Sequence, residues 1–335
     1  MATIGGLGRR ARTAVDVLMH GSHGLTQPLE TQVVALDAHV GDLQAENRLL
    51  RDVHARLDGI ADEIAGLVGP SGKLIATGSP WWTLLPFTTH RVRLGEHSFT
   101  ADHGVEPERD LRTRLLEDCA GGQLAGARIL DLGCLEGGFA IECARRGASE
   151  VVGIEARPLS VRRCELLKDL LGLDNATFVC GDILHELARL QEPFDVILAT
   201  GILYHLSQPD VALRLIRERC RGATVICTHV ADPDHPTHGC SPDVVDYVGR
   251  SGTYSGRRYS ETDATNWTSV QSVGEGDHDL WASWNDESSF WPFEADLRRM
   301  ILDAGFSTVD KVVPGEHPEP WQVDQVNRVL LLASV

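Results

Sequence analysis

The chain has 335 residues, 42% of them hydrophobic, and a formal net charge of −17. That is apolar material for one large domain with an appendage, or for two domains, and no apolar run approaches the ~20 residues that cross a bilayer. The acidic balance disfavours a nucleic-acid partner, which needs a basic footprint, and no apolar stretch of a secretory signal follows Arg9, Arg10 and Arg12, so the expectation is a cytoplasmic protein.

Residues 1–25 read as a disordered start. Over 26–69 a heptad repeat sets in. Leu29, Leu36, Leu43, Leu50, Leu57 and Ile64 fall at d, and Val33, Val40, Asn47, His54, Ala61 and Val68 at a. β-Branched residues at a with Leu at d favour a parallel two-stranded coiled coil, and Asn47 suits a register-fixing polar position. The expected partner is therefore a second copy of the chain. Apolar g positions at Val53, Ile60 and Leu67 leave open a higher oligomer or packing on another surface, and an amphipathic helix folded back on its own domain is the alternative. Pro28 opens this helix and Gly69-Pro70 stops it.

Residues 70–125 hold HRVRL and HSFTA, which read as a hairpin turned at Gly95-Glu96, and a helix over 107–120 begun by Pro107. From 126 to 335 the alternation is regular. Strands are read at 128–132, 150–155, 176–180, 194–199 and 223–229, and helices at 138–147, 158–171, 183–190 and 208–220. Alternating strands and helices imply a doubly wound, mostly parallel sheet. Residues 230–292 break the alternation, reading as a structureless insert that carries Trp267, Trp281, Trp284 and Trp291; an insert this long is usually functional. A helix at 293–304 and strands near 307–313 and 326–333 complete the sheet. No C-x-x-C pair occurs, and Cys134, Cys143, Cys164, Cys180 and Cys227 fall in expected core elements, so no disulfide framework is expected.

The stretch RILDLGCLEGGFA at Arg128–Ala140 organises the rest. A buried strand, a Gly-rich turn and a helix start make a small-molecule cradle, because glycine lets the backbone approach the ligand and the helix end offers free N–H groups. Glu155 ends the second strand and Asp182 follows the third. An α/β nucleotide fold places a ribose-binding carboxylate at the position of Glu155. The full G-x-G-x-x-G spacing of dinucleotide folds is missing.

This ordered set resembles the class I S-adenosylmethionine-dependent methyltransferases, over about Arg128 to Val335. The resemblance implies a Rossmann-like seven-stranded sheet and S-adenosyl-L-methionine as cofactor. It implies that the turn Asp131–Gly138 holds the methionine end, Glu155 the ribose and Asp182 the adenine amino group. The cofactor-binding candidates are thus Asp131, Gly133, Cys134, Leu135, Gly137, Glu155, Asp182, Ile183 and Gly201. Leu135 stands where the family usually has glycine, which implies a slightly altered turn. The segment before the first strand often covers the cofactor in such enzymes, so Trp81 and Trp82 either line the site or cap the core.

GILYHL at Gly201–Leu206 resembles the GxLYH segment shared by tRNA wobble-uridine carboxymethyltransferase-like proteins and by bacterial small-molecule and glycan methyltransferases. His205 is the candidate general base with Tyr204 beside it, and His229, ending the fifth strand, is the runner-up; capping of the strand is the alternative role for His205. No metal ligand is assigned. Gly201 and Tyr204 replace the acids of E-x-x-E-H metal-dependent enzymes, and Asp232, Asp234, His235 and His238 match no specific metal spacing, so a polar substrate loop is preferred and a divalent metal is left as an alternative. The expected reaction is O-methylation of a saccharide or small-molecule hydroxyl, with insert tryptophans offering flat faces. tRNA modification and a non-catalytic coiled-coil assembly role are the alternatives.

Overall fold

The computed structural model describes residues 87–335, except 88, 97, 102, 237–239, 261–282, 285, 318 and 320–326. The expected disordered start, the coiled coil, Trp81, Trp82, Trp267, Trp281 and His238 lie outside the described residues.

Six α-helices are formed among the described residues: α1 (Leu111–Cys119), α2 (Gly138–Arg145), α3 (Pro158–Leu171), α4 (Ile183–Arg189), α5 (Pro209–Arg219) and α6 (Glu294–Asp303). The strands of the main sheet are β1 (Arg128–Leu132), β2 (Glu150–Glu155), β3 (Ala176–Cys180), β4 (Phe194–Thr200), β5 (Cys220–His229), β9 (Thr308–Val312) and β10 (Arg328–Ser334). They run in the order β3-β2-β1-β4-β5-β10-β9. β1 to β5 are parallel, and β10 is antiparallel to both β5 and β9. The chain winds outward from β1 on one side and from β4 on the other, so the switch point of a doubly wound sheet lies between them. β1 (RILDL) is buried from Ile129 to Leu132 because helices cover both faces of a parallel sheet. This is the fold class expected from the sequence.

Three local readings differ. The helix of 107–120 starts at Leu111, because the Asp110 side chain accepts from Arg112 N–H as the N-cap while Pro107 sits in the preceding turn. Asp110 also forms a buried two-pronged ion pair with Arg112, at 2.7 and 2.9 Å. The hairpin pairs through one antiparallel bridge, Arg93 with Phe99, rather than a ladder. Cys180, at the end of β3, is exposed; all eight cysteines are free thiols.

The insert is not structureless. β6 (Val245–Val248), β7 (Thr253–Ser260) and β8 (Ser288–Pro292) build a second, antiparallel sheet in the order β6-β7-β8. Tyr247, Tyr254 and Phe290 from its three strands enter the main hydrophobic core. Polar bonds fix the docking. Tyr247 donates to the buried Asp210 at the start of α5, and Arg250 N–H donates to the other Asp210 oxygen at 2.9 Å. Tyr254 donates to Asp303 of α6 at 2.9 Å. Inside the insert, the buried Arg257 donates to the carbonyls of Asp232, Pro233, Ser241 and Pro242, so one guanidinium ties residues 232–233 to 241–242.

Asp210→Ala removes the acceptor of two of these bonds at once. Hydrogen bonds to a charged group contribute about 1.5–3 kcal/mol each, so urea unfolding should report a loss of about 3–6 kcal/mol. A variant as stable as the parent would mean that the small sheet is held by its apolar face alone.

Candidate active site

The assigned residues gather along the carboxyl ends of neighbouring strands. The turn after β1 hangs from β2, with Gly133 and Cys134 N–H groups both donating to Ile154 O at 2.9 and 3.1 Å. Three successive bends in it are left-handed: Gly133 at φ 65°, Leu135 at 51° and Gly137 at 72°. A side chain at Gly137 would meet Cys164 Sγ at 2.8 Å and the Phe178 ring at 3.2 Å. Leu135 adopts the left-handed conformation despite its Cβ, at a cost of about 1–2 kcal/mol. Two bonds hold it there: its N–H donates to Glu155 Oε2 at 3.1 Å, and Cys164 Sγ donates to its carbonyl at 3.2 Å. Leu135 thus holds a backbone conformation that glycine adopts freely.

Glu155 is buried and has a second tie. Its Oε1 accepts from Arg157 N–H at 2.9 Å and from the guanidinium at 3.4 Å. Each carboxylate oxygen has two acceptor positions, so these bonds orient the group and leave capacity for hydroxyl donors. Asp182 caps α4, accepting from His185 N–H at 3.0 Å, with Ile183 buried behind it.

Asp131 is the most informative member. It is buried, its carboxyl accepts from Ala140 N–H, and its Oδ2 has no hydrogen-bond partner among the described residues. Burial, with the Glu155 charge adding, pushes its pKa up to about 7, against the opposing Ala140 N–H and Arg112. An orphaned buried acceptor is costly. Here it sits in a glycine cradle, where it fits a cationic donor such as an amino-acid ammonium.

Two residues that the sequence reading passed over complete the cradle. Glu136, with no exposed surface, accepts from Thr89 and His90 N–H at 3.0 and 2.9 Å. His90 in turn accepts from Gly138 N–H through Nδ1 at 3.1 Å, covering a donor at the start of α2. This reciprocal pair binds the segment before α1 to the turn. Glu136 reads in sequence as a solvated turn acid, and nothing in its spacing signals this role.

The chemical candidates lie on the other side of β1. Gly201 (φ 77°) turns the chain out of β4 into one 3₁₀ turn, Leu203–His205. Tyr204 and His205 are both buried, with ring centroids 4.1 Å apart. His229 meets the Tyr204 ring edge-on at 4.6 Å and stacks on Trp291 at 4.8 Å. Trp291 is itself buried, stacked on Tyr259 at 4.5 Å, and donates through Nε1 to Tyr204 O at 2.8 Å. It is structural, not a flat face open to a substrate. Cross-strand from His229, Arg328 places Nη2 2.7 Å from His229 Nε2. A guanidinium only donates, so His229 Nε2 is the acceptor and the proton of the neutral ring sits on Nδ1. That nitrogen's lone pair is engaged, which weakens His229 as a base.

The possible metal loop is used otherwise. Asp232 accepts from Asp234 and His235 N–H at 2.8 and 2.9 Å, and these bonds hold its pKa below the usual range. No cluster of three potential metal ligands occurs among the described residues.

With this geometry in view, comparison with known proteins is decisive for the domain. Residues 123–247 match the family model described as "Methyltransferase domain". Over this segment the chain is similar to methyltransferase domains. The N-terminal domain of EvdMO1, solved in the presence of SAH and D-fucose, superposes with a TM-score of 0.56 at 21% identity, covering 76% of this chain and 93% of that one. The two chains therefore share the Rossmann-like fold with its seven-stranded, mostly parallel sheet. A tRNA U34 carboxymethyltransferase of Shewanella pealeana is 31% identical over 142 residues, 40% of this chain and 42% of that protein. One from Aeromonas hydrophila is 27% identical over 233 residues, 65% and 67% of the two chains. The match to the first spans less than half of its length.

His90 gives a test of the cradle's construction. Burial, with Arg112 nearby, lowers its pKa from 6.5 to about 3. The unfolded chain therefore takes up a proton that the folded one refuses. The contribution is fully present above pH 6.5 and is lost between 6.5 and about 3 as the pH falls. Relative to His90→Asn, the parent should lose about 1.4 kcal/mol per pH unit across that window. Parallel stability curves for the two proteins would refute the buried neutral imidazole.

Proposed function

We propose that the chain binds S-adenosyl-L-methionine in the glycine cradle and transfers its methyl group to a hydroxyl of a saccharide or small molecule. The observation that carries the reading is Asp131, a buried carboxyl with an orphaned oxygen inside a turn shaped by Gly133 and Gly137. Its partner is the ammonium of the cofactor's methionine end. Glu155 accepts from the ribose hydroxyls, and Asp182 and Ile183 border the adenine. The bound cofactor supplies an electrophilic methyl with a neutral leaving group.

The chain's own work is to orient the acceptor and take its proton. His205 is the preferred base, because the His229 Nε2 lone pair is engaged by Arg328. Tyr204 packs beside His205 and supports its orientation. The net charge of −17 favours an uncharged or cationic acceptor over a nucleic acid. tRNA is the second reading, favoured by the sequence relatives. Binding of tRNA that weakens steeply with salt would support it.

The cofactor assignment predicts a pH dependence. Asp131 is protonated below about pH 7 in the free protein, and an ammonium needs the carboxylate, so binding expels a proton. Affinity for S-adenosylhomocysteine should rise as the pH rises, approaching tenfold per unit from pH 5, and level off above 7. Asp131→Asn should flatten the profile. Calorimetry showing no pH dependence in the parent would sink the assignment.

The base has its own test. A screen of saccharides and tRNA with methyl-labelled cofactor identifies an acceptor. With that acceptor, His205→Ala should lower kcat roughly 10²–10⁴-fold while leaving S-adenosylhomocysteine affinity unchanged. Undiminished turnover would pass the role to another group.

A further inference from the structure

The insert contributes more than a docked sheet. Just before β8, Asp286 accepts from Ser207 N–H at 2.7 Å and from the Ser207 hydroxyl at 3.0 Å. Ser207 lies two residues beyond His205, after the 3₁₀ turn that follows β4. Ser283 Oγ accepts from Asp286 N–H at 3.1 Å and tightens the bend between them. On the other side, the Trp284 ring centroid lies 5.8 Å from the Arg157 guanidinium carbon. Arg157 is the residue whose N–H and guanidinium both bond to Glu155 at the end of β2.

The sheet order at this edge is β2-β1-β4. Trp284 and Asp286 thus link the insert to Arg157, just after β2, and to Ser207, beyond the turn that follows β4, and β1 lies between those two strands in the sheet. Trp284 is nevertheless 54% exposed. A large exposed aromatic ring beside Arg157, whose guanidinium bonds to Glu155, offers a face to a ligand. Aromatic rings take nucleobases on their faces with useful energy and little base discrimination.

We infer that Trp284 is a binding residue for the nucleoside end of the cofactor, contributed by the insert and positioned by Arg157. This rests on the proposed cofactor reading and extends it. The glycine turn and Glu155 come from the sheet, whereas Trp284 comes from an element outside the matched domain segment at 123–247. The insert then belongs to the cofactor site as well as to the acceptor side.

Calorimetry on the full chain tests it with two ligands, S-adenosylhomocysteine and 5′-methylthioadenosine. The second keeps the nucleoside and lacks the amino-acid end. Trp284→Ala should weaken both by the same factor, roughly 5- to 100-fold, as for loss of one aromatic platform under a base. Trp284→Phe should recover most of the loss. Because the side chain is largely exposed, thermal unfolding of both variants should match the parent. Unchanged affinity of Trp284→Ala for both ligands would overturn the inference. So would a loss confined to S-adenosylhomocysteine, which would put Trp284 at the methionine end. An unfolded Trp284→Ala with a folded Trp284→Phe that has lost affinity and does not recover it would also count against it. If the parent itself binds neither ligand, the cofactor reading fails, and that outcome is distinct from a failure of Trp284 alone.

Discussion

The turn after β1 must pass where no side chain fits, and the rest of the edge is arranged to hold it there. Gly137 is wedged against Cys164 and Phe178, and Gly138 against the His90 ring, 2.7 Å from where its Cβ would be. Such a turn is not stable by itself, since one of its left-handed positions is a leucine. It is fixed from three directions: Ile154 O and Glu155 from β2, Cys164 from α3, and the Glu136–His90 exchange from the segment before α1. The same carboxylate that is expected to read a ligand, Glu155, is also the acceptor that holds Leu135 in place. Binding and backbone shape are therefore coupled at one residue, and a change at Glu155 acts on both.

The second sheet extends this logic to the chemical side. Trp291 Nε1 fixes Tyr204 O, and Phe290 N–H donates to Leu206 O at 3.0 Å, so β8 clamps both sides of His205. Asp286 then holds Ser207. The Gly201–Ser207 run is a loop in sequence, yet nearly every backbone position after Tyr204 answers to the insert. A candidate base on such a loop gains the rigidity of a sheet without being part of one.

Much of this was legible in the sequence, for a physical reason. Strands buried on both faces read as uninterrupted apolar runs, and the expected spans 128–132, 150–155 and 176–180 coincide with β1, β2 and β3. Their carboxyl ends then located Asp131, Glu155 and Asp182 without any contact being known. The insert was opaque because β7, TYSGRRYS, contains a glycine and two arginines, which mimic a solvated loop. Arg257 is buried there because loop carbonyls, remote in sequence, solvate its charge. Pairing of that kind leaves no periodic trace. The same holds for Arg328, which reaches His229 only through the antiparallel register of β10 on β5.

That last contact supports the ranking of His205 over His229 that the sequence reading made. Both stand beyond strand ends and both pack on Tyr204. A neutral imidazole has one acceptor nitrogen. In His229 it faces a guanidinium, so protonating it would bring two cations within 2.7 Å of each other, in a half-buried place where charges are screened less than in water. Arg328 thus makes His229 a poor proton acceptor and a good fixed element, stacked on Trp291. The protein separates the two roles by which neighbour each ring is given. One histidine becomes part of the wall, and the wall holds Tyr204 against the other.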